Sequence, residues 1–520
     1  MSYAVWGWGG PDDEPRRADL EALAPLVQAT TGIAVQEPET PRPLAPLSAS
    51  RRLAGLPAAL RPLASTDPVD RARHGLGRSY RDLVRGVRGQ VPHPADLVLR
   101  PRTEGDVAAV LDWAGTTGVP VVPFGGGTSV VGGVEPVGLD APVSLDLAHL
   151  AGLLEVDATS RAVRLAAGTT GPAAEQALGA HGLTLRFYPQ SFERSTVGGW
   201  VATRAAGHFS TGPTHVDDLV ESVRAVTPVG VWESRRLPGS GAGPSPDRAL
   251  LGSEGTLGVV TEAWLRAQPR PEGRWAATLA APDLATGAAA VRGLLQAGLR
   301  PATCRLVDAA ESTLSGLLTT GEAALVLGLE QLSGPVGAEA DVALQLCRDA
   351  GLRVVEAGAR GGAGSAWRSS FLRAPYTRES LLLLGVLAET FETAVTWDRL
   401  DALVDGVRTA VLDALRRVCG GGTVSCRLTH AYADGAAPYF TVLAPARRGS
   451  ELAQWDEVKA AAGDALAAAG GTITHHHAVG RDHRPWYDLQ RPEPFALALA
   501  AGKRAVDPAG VLNPGVLLPG

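Results

Sequence analysis

The chain has 520 residues, 45% hydrophobic and 20% charged, with a formal net charge of −6. That length exceeds a single ordinary core and predicts a globular protein of several lobes, while an acid excess without a basic tail argues against nucleic acid as a partner. Four cysteines (Cys304, Cys347, Cys419, Cys426) show no CxxC spacing, which speaks against structural zinc and for a reducing compartment.

Residues 1–90 are rich in Pro and Arg, carry broken helical patterns at Leu20–Val27 and Arg51–Leu60, and read as a wrapping extension. From 91 to 270 short strands alternate with helices. A strand near 95–100 leads into a helix over about 104–117, with Thr103 as N-cap and Val107, Val110, Leu111 and Ala114 on its apolar face. The β-branched run Val119-Pro120-Val121-Val122 reads as a buried strand that delivers the loop Pro123–Ser129. Three successive glycines followed by two hydroxyls suit a backbone cradle for phosphate; a tight turn between strands is the competing explanation. Strands follow at Val143–Leu147, Leu153–Val156 and Ala162–Ala166, then a helix at Pro172–Ala180 stopped by Gly182. The Pro/Gly/Ser-rich stretch Leu237–Pro246 reads as a flexible surface excursion.

Beyond Pro269-Arg270-Pro271 the pattern changes. Strands at Ala276–Leu279, Thr303–Val307, Ala324–Leu329 and Leu352–Val355, with helices at 286–297 and 338–350, predict two β-α-β units on an antiparallel sheet, ferredoxin-like in outline. The expected organisation is an extension at 1–90, an α+β domain with the glycine loop at 91–270, a cap domain at 271–490, and a turn-rich tail at 491–520 that returns to the first domain. The longest apolar run, Leu381–Ala388, falls far short of the roughly 20 residues of a spanning helix. Nothing at the N-terminus resembles a signal peptide, and the close Leu518-Pro519-Gly520 is not a peroxisomal tripeptide, so a cytoplasmic location is expected.

Four further segments carry chemistry. Ser195-Thr196-Val197-Gly198-Gly199-Trp200 sets hydroxyls beside a Gly pair, as a second place of close backbone approach or an ordinary turn. Glu254–Val260 sets two glycines among hydroxyl and β-branched residues, suited to a strand edge against a flat ring or to a bulged strand. In His475-His476-His477, strand alternation would put His475 and His477 on one face and His476 on the other, so the three would not share one ion without distortion. Loop histidines in solvent, metal binding, and acid/base or flavin contact all stay open for them. Finally, Cys426, Arg427, Tyr432, Gly435 and Tyr439-Phe440 bring a phenol after a Gly-containing turn, where a core tyrosine is the ordinary explanation.

Taken together, the glycine loop, Ser195–Trp200 with Thr203-Arg204-Ala205, and Leu251–Gly258 resemble the PCMH-type FAD-binding domain of the vanillyl-alcohol oxidase/p-cresol methylhydroxylase superfamily. Within that superfamily the chain is similar to the alkyldihydroxyacetonephosphate synthases of ether-lipid synthesis, from about His74 to Leu517. Cys304–Asp308, Glu392-Thr393 with Trp397-Asp398-Arg399, Cys426–Thr429 and His475–Gly480 carry that narrower resemblance. It implies an α+β fold with an antiparallel cap sheet flanked by helices, and an FAD used without net redox change to replace the acyl group of acyl-dihydroxyacetone phosphate by a fatty alcohol.

By matching motifs, the resemblance makes Tyr439 the acid/base at C1 and puts His475, His476 and His477 around flavin and substrate. Arg378 would hold the departing carboxylate or the phosphate, Thr390 stands where the family has serine, and Arg305 would brace the cap. Flavin contacts are implied for Pro123, Phe124, Gly125, Gly126, Gly127, Thr128 and Ser129, and for Gln190, Ser191, Phe192, Glu193, Arg194, Ser195 and Thr196. The same holds for Thr203, Arg204, Ala205 and Ala206, and for Glu254, Gly255, Thr256, Leu257, Gly258, Val259 and Val260. No metal is expected, and a homodimer with peripheral membrane contact is. Phe187 and Gln190 replace a His and an Asp of animal members, a departure that opens the way to an altered hold on phosphate or flavin or to a different substrate. The rival readings are a flavin-dependent 2-hydroxy-acid dehydrogenase or oxidase of the D-lactate or glycolate type, and a flavin-carrying scaffold without turnover.

Overall fold

The computed structural model describes residues 5–10, 13–358 and 362–519. The capping signal read at Thr103 is realised in full: its hydroxyl accepts the Asp106 N–H at 3.1 Å, the Asp106 carboxylate accepts the Thr103 N–H at 2.9 Å, and the helix Glu104–Thr117 ends at Gly118 with φ +67°. Val107, Val110, Leu111 and Ala114 of that helix are buried. They help form an N-terminal core with strands 97–99, 121–124 and 143–146 and with a second sheet, of order 153–157, 162–166, 259–266, 220–227, 230–233.

The strand Val121–Phe124 pairs in parallel with Val143–Asp146. On its other edge lies the C-terminal tail. The Val121 N–H donates to the Val511 carbonyl and the Asn513 N–H to the Val121 carbonyl, both at 2.8 Å. The strand feeding the glycine loop is thus held by residues nearly 400 positions apart in sequence.

The larger core belongs to an antiparallel sheet of order 353–358, 273–281, 323–331, 303–307, 423–431, 435–445, 386–392. Its first four strands follow the fourth-first-third-second order of a ferredoxin-like unit, as two β-α-β units predict. The helix Leu400–Cys419 then leads into the hairpin 423–431/435–445, which carries the sheet on toward Val386–Glu392.

The N-terminal extension joins both cores: Trp6, Leu20, Val27 and Ile33 pack in the cap, and Leu56 and Leu60 in the N-terminal lobe. The pattern at Leu20–Val27 is a complete helix, Arg17–Thr31, whereas Arg51–Leu60 forms bends and turns because Gly55 and Pro57 interrupt its periodicity. Leu237–Pro246 is irregular up to a short helix, Pro246–Leu250. Between the lobes, Arg305 is 0% exposed and donates to the His208 carbonyl at 2.6 Å, in keeping with a bracing role.

The chain has two lysines, and Lys459 reaches from the helix Glu451–Ala468 to the buried Glu389 at 3.2 Å, with Trp455 Nε1 on the other oxygen at 2.7 Å. Removing the ammonium leaves Glu389 buried with its charge unpaired. Lys459→Met is expected to cost about 3–5 kcal/mol, read as a fall in the urea midpoint. An unchanged midpoint would show that this ion pair adds nothing to stability.

Candidate functional site

A cavity of about 540 Å³ opens between the two lobes. One wall is the N-terminal lobe: Pro123–Ser129, then Gln190, Ser191, Ser195 and Thr196, then Thr203, Ala205 and Ala206, then Glu254, Gly255, Gly258 and Val260. These segments touch one another through their glycines. A Cβ on Gly125 would stand 2.4 Å from Thr196 Oγ1, and one on Gly126 would stand 2.1 Å from the Arg194 carbonyl. Gly127 and Gly255 have φ of +63° and +74°, which a side chain would strain. The N–H groups of Gly126, Gly127, Thr128 and Ser129 donate to no acceptor among the described residues. They remain available to an anion.

The opposite wall is the cap sheet, where register decides chemistry. Glu392, Tyr439 and Arg427 are direct neighbours across three strands, and Thr390, Thr441 and Ser425 form the next row. Side chains of one row share a face. Tyr439 is 4% exposed, with the Arg427 guanidinium 3.9 Å above its ring; Arg427 in turn is ion-paired to Glu311. Burial pushes the Tyr439 phenol up, and Arg427 and the Thr390 hydroxyl pull it part of the way back.

The His triplet is not a strand. It lies in a loop of bends folded around the Glu392 carboxylate, which accepts the N–H groups of His475, of His476 at 3.1 Å and of His477 at 3.0 Å, and the Thr474 hydroxyl at 2.7 Å. The alternation argument therefore fails, because an anion under three consecutive amides curls the chain so that all three rings stand near one another. His476 and His477 reach the cavity, with ring centroids 6.2 and 5.6 Å from Tyr439. His475 instead turns to Tyr432, which donates or accepts at 2.7 Å, and to His215 at 3.1 Å.

Burial would raise the Glu392 carboxyl, but the three imidazoles and the Thr474 hydroxyl hold it well below the usual range. The imidazoles move down: burial brings His476 to about 3 and His477 to about 4, and carries His430 and His475 well below their ordinary value. At neutral pH these rings are uncharged, able to accept a proton on one nitrogen while donating from the other. Two trios, His430/His475/His476 and Glu392/His476/His477, bring their ligand atoms within 4.8 Å of one another. Their donors already face one another or the peptide groups of their own loop.

Family models agree with this geometry. The FAD binding domain model matches residues 95–234, and that of the C-terminal domain of FAD linked oxidases matches residues 270–517. An alkyldihydroxyacetonephosphate synthase of Trypanosoma brucei brucei is 30% identical over 478 residues, covering 87% of this chain and 78% of that protein. The chain belongs to the alkyldihydroxyacetonephosphate synthase family. The synthase of Dictyostelium discoideum is 29% identical over 481 residues, with the same coverage. A solved alkyldihydroxyacetonephosphate synthase superposes with a TM-score of 0.77 over 95% of this chain and 92% of its own, at 24% identity, which bears on the fold.

FAD is the cofactor of this synthase family member, and the residues present fit it. The open amides of the glycine loop suit its phosphates, while Asn513 Oδ1 is buried on the cavity wall without a partner. Seven of the flavin contacts expected from sequence lie off the wall. Arg204, in the left-handed region at φ +51°, turns outward to Asp217 at 2.7 Å. Phe192 packs on Tyr188, Glu193 accepts from the Tyr376 hydroxyl at 3.0 Å, and Arg194 presents its carbonyl to Gly126. Thr256, Leu257 and Val259 point into the N-terminal lobe, Leu257 and Val259 within its core. Arg378 and Thr390 are on the wall; Arg378 donates to the Arg78 carbonyl.

Glu254 both lines the cavity and ties the lobes together, accepting the N–H groups of Val479 at 2.9 Å and Gly480 at 3.0 Å; burial pushes its carboxyl up to about 7. Sequence reasoning missed Trp8, His430, Glu311 and the Thr441/Ser425 row. The strand register around Tyr439 would have disclosed the last, since alternate positions of three paired strands share a face.

Because Gly126 abuts backbone, Gly126→Ala must push the loop and the Arg194 turn apart. A strain of about 1–3 kcal/mol raises the dissociation constant for FAD by about fivefold to 150-fold, measurable by flavin fluorescence titration. Unchanged affinity would remove this loop from the cofactor site.

Proposed function

We propose that this protein exchanges the acyl group of an acyl-dihydroxyacetone phosphate for a long-chain alcohol, using FAD without net redox change. The observation that carries the reading is the row Glu392, Tyr439, Arg427, with a neutral His476 and His477 closing over the phenol. Bound FAD supplies an electrophilic ring that activates the sugar carbon. Tyr439 is the group placed to remove and return the C1 proton, its phenolate favoured by the guanidinium on its ring face. The neutral imidazoles of His476 and His477 accept a proton from the incoming alcohol. Arg378 offers its buried Nε to the phosphate or to the departing carboxylate, and Thr390 orients the phenol through its hydroxyl.

Incubation with palmitoyl-dihydroxyacetone phosphate and a labelled long-chain alcohol, and in parallel with D-lactate and a dye, tests this assignment. Tyr439→Phe is expected to stay folded and yellow while losing exchange by about 100-fold to 10,000-fold. Arg378→Ala is expected to raise KM at constant flavin content. Dye reduction by D-lactate without alcohol-for-acid exchange would replace the synthase reading by that of a 2-hydroxy-acid dehydrogenase.

A cytoplasmic homodimer that meets the bilayer surface completes the proposal. Among the described residues no helix is long and apolar enough to cross a membrane. Leu489 of the helix Arg484–Gln490 is 76% exposed, and Phe495 and Leu497 of the helix Glu493–Val506 are 52% and 64% exposed; exposed apolar side chains of this size support such contact. Sedimentation with and without phospholipid vesicles is expected to show a dimer that partly co-sediments with them; a monomer indifferent to vesicles would exclude both.

A further inference from the structure

A group that takes a proton from carbon and gives it back must hold that proton neither too tightly nor too loosely. Burial alone would make the Tyr439 phenol hold its proton tightly, and the Arg427 guanidinium 3.9 Å above its ring works against this. How far it does so depends on where the guanidinium stands and on how much of its charge the phenol meets. Both lead to Glu311.

We infer that Glu311 is a positioning residue that acts through Arg427: its carboxylate seats the guanidinium on the Tyr439 ring and offsets part of the positive charge that the phenol meets. The role rests on the synthase reading, in which Tyr439 is the acid/base at C1. Local sequence explains why this glutamate is available. Asp308-Ala309-Ala310-Glu311 starts the short helix Ala309–Leu314, and the Asp308 carboxylate accepts the Glu311 N–H at 2.8 Å. A glutamate at that position ordinarily reaches back to the N–H of the capping residue. Here that N–H donates to the Cys426 carbonyl at 3.0 Å, and Glu311 turns instead to the next residue of the strand, Arg427, whose Nη1 donates to it.

The arrangement is held from several sides. Asp308 also accepts the Cys426 N–H at 2.7 Å and the Arg408 guanidinium, so the helix start is clamped to the strand one residue before Arg427. The Ser425 hydroxyl donates to the second Glu311 oxygen at 3.4 Å. Glu311 is 7% exposed and stands on the cavity wall, where a charge acts strongly on its neighbours. Around the phenol stand also Glu392 from the adjoining strand, Arg378 from the helix Gly362–Leu383, Arg305 from the strand Thr303–Val307, and His476 and His477 from their loop. Around Glu311 stand Arg305 and the Cys426 thiol besides Arg427. Glu392 is engaged by the amides of its loop, Arg378 by the Arg78 carbonyl and Arg305 by the His208 carbonyl. Glu311 is thus the carboxylate that answers Arg427.

The test compares wild type, Glu311→Gln, Arg427→Met and the double variant, all as FAD-bound enzyme. Tyrosinate absorbance is followed in rapid pH jumps, with Tyr439→Phe as the blank, and kcat/KM is followed against pH with palmitoyl-dihydroxyacetone phosphate and labelled hexadecanol. Glu311→Gln keeps an oxygen for the guanidinium and loses the negative charge. It is expected to lower the ionisation midpoint of the phenol by about one pH unit, to move the rising limb of kcat/KM the same way, and to leave FAD content unchanged. Arg427→Met is expected to raise the midpoint by about one unit or more, and adding Glu311→Gln to it to change nothing further. A midpoint that Glu311→Gln leaves in place or raises would overturn the role, even where turnover falls, since that fall marks a structural part only. An equal lowering with and without Arg427 would overturn action through the guanidinium. Should Arg427→Met fail to fold, the nearly isosteric Glu311→Gln still decides by its midpoint. Wild-type enzyme that makes no labelled ether overturns the synthase reading and this role with it; ether formed with an unmoved midpoint overturns the role of Glu311 alone.

Discussion

A single buried carboxylate organises the reactive half of this protein. Glu392 ends the last strand of the cap sheet, Val386–Glu392, and is 1% exposed, yet it accepts three successive main-chain amides and a hydroxyl from the loop 474–477. Without an anion there, three consecutive amides would have no reason to converge, and the histidines would have no reason to stand over Tyr439. Because Glu392 and Tyr439 are also register partners, the same strand pairing that builds the sheet aligns the phenol with the loop above it. Sheet hydrogen bonds, loop conformation and site chemistry are thus one connected arrangement rather than three.

The two lobes meet through polar contacts that are buried and directional. Arg305 donates to the His208 carbonyl, and Glu254 holds the amides that follow the histidines, so a residue of the glycine-rich wall also fixes the loop on the facing wall. Such contacts are costly to leave unmade, which favours one relative placement of the lobes over many. The glycine-rich wall and the tyrosine–histidine cluster consequently hold a fixed distance while the space between them stays open.

Much of this was legible in the residues. The capping box at Thr103 and the stop at Gly118 are local, and the order of the first four cap strands follows from two β-α-β units in succession. The glycine loop announces itself because its constraint, backbone against backbone, is written in the residue type. The His triplet was legible as chemistry but not as conformation: the group that shapes it, Glu392, stands more than 80 positions away, and local alternation is silent about a distant anion. Trp8 was invisible for the same reason, since its place on the cavity wall depends on its amide meeting Glu379. Arg204 shows the converse, where a motif match suggests a ligand contact and a left-handed backbone sends the side chain to Asp217 instead.

The tail that flanks Val121 has an implication for biogenesis. Asn513 donates to the carbonyls of Gly133 and Glu254, and Leu512 is fully buried in the N-terminal core. A nascent chain with its first 500 residues released from the ribosome still lacks the edge that steadies the strand feeding the glycine loop. Maturation of the flavoprotein therefore waits until residues 511–513 have been made, and the apoprotein emerging before then must survive with its cleft unfinished.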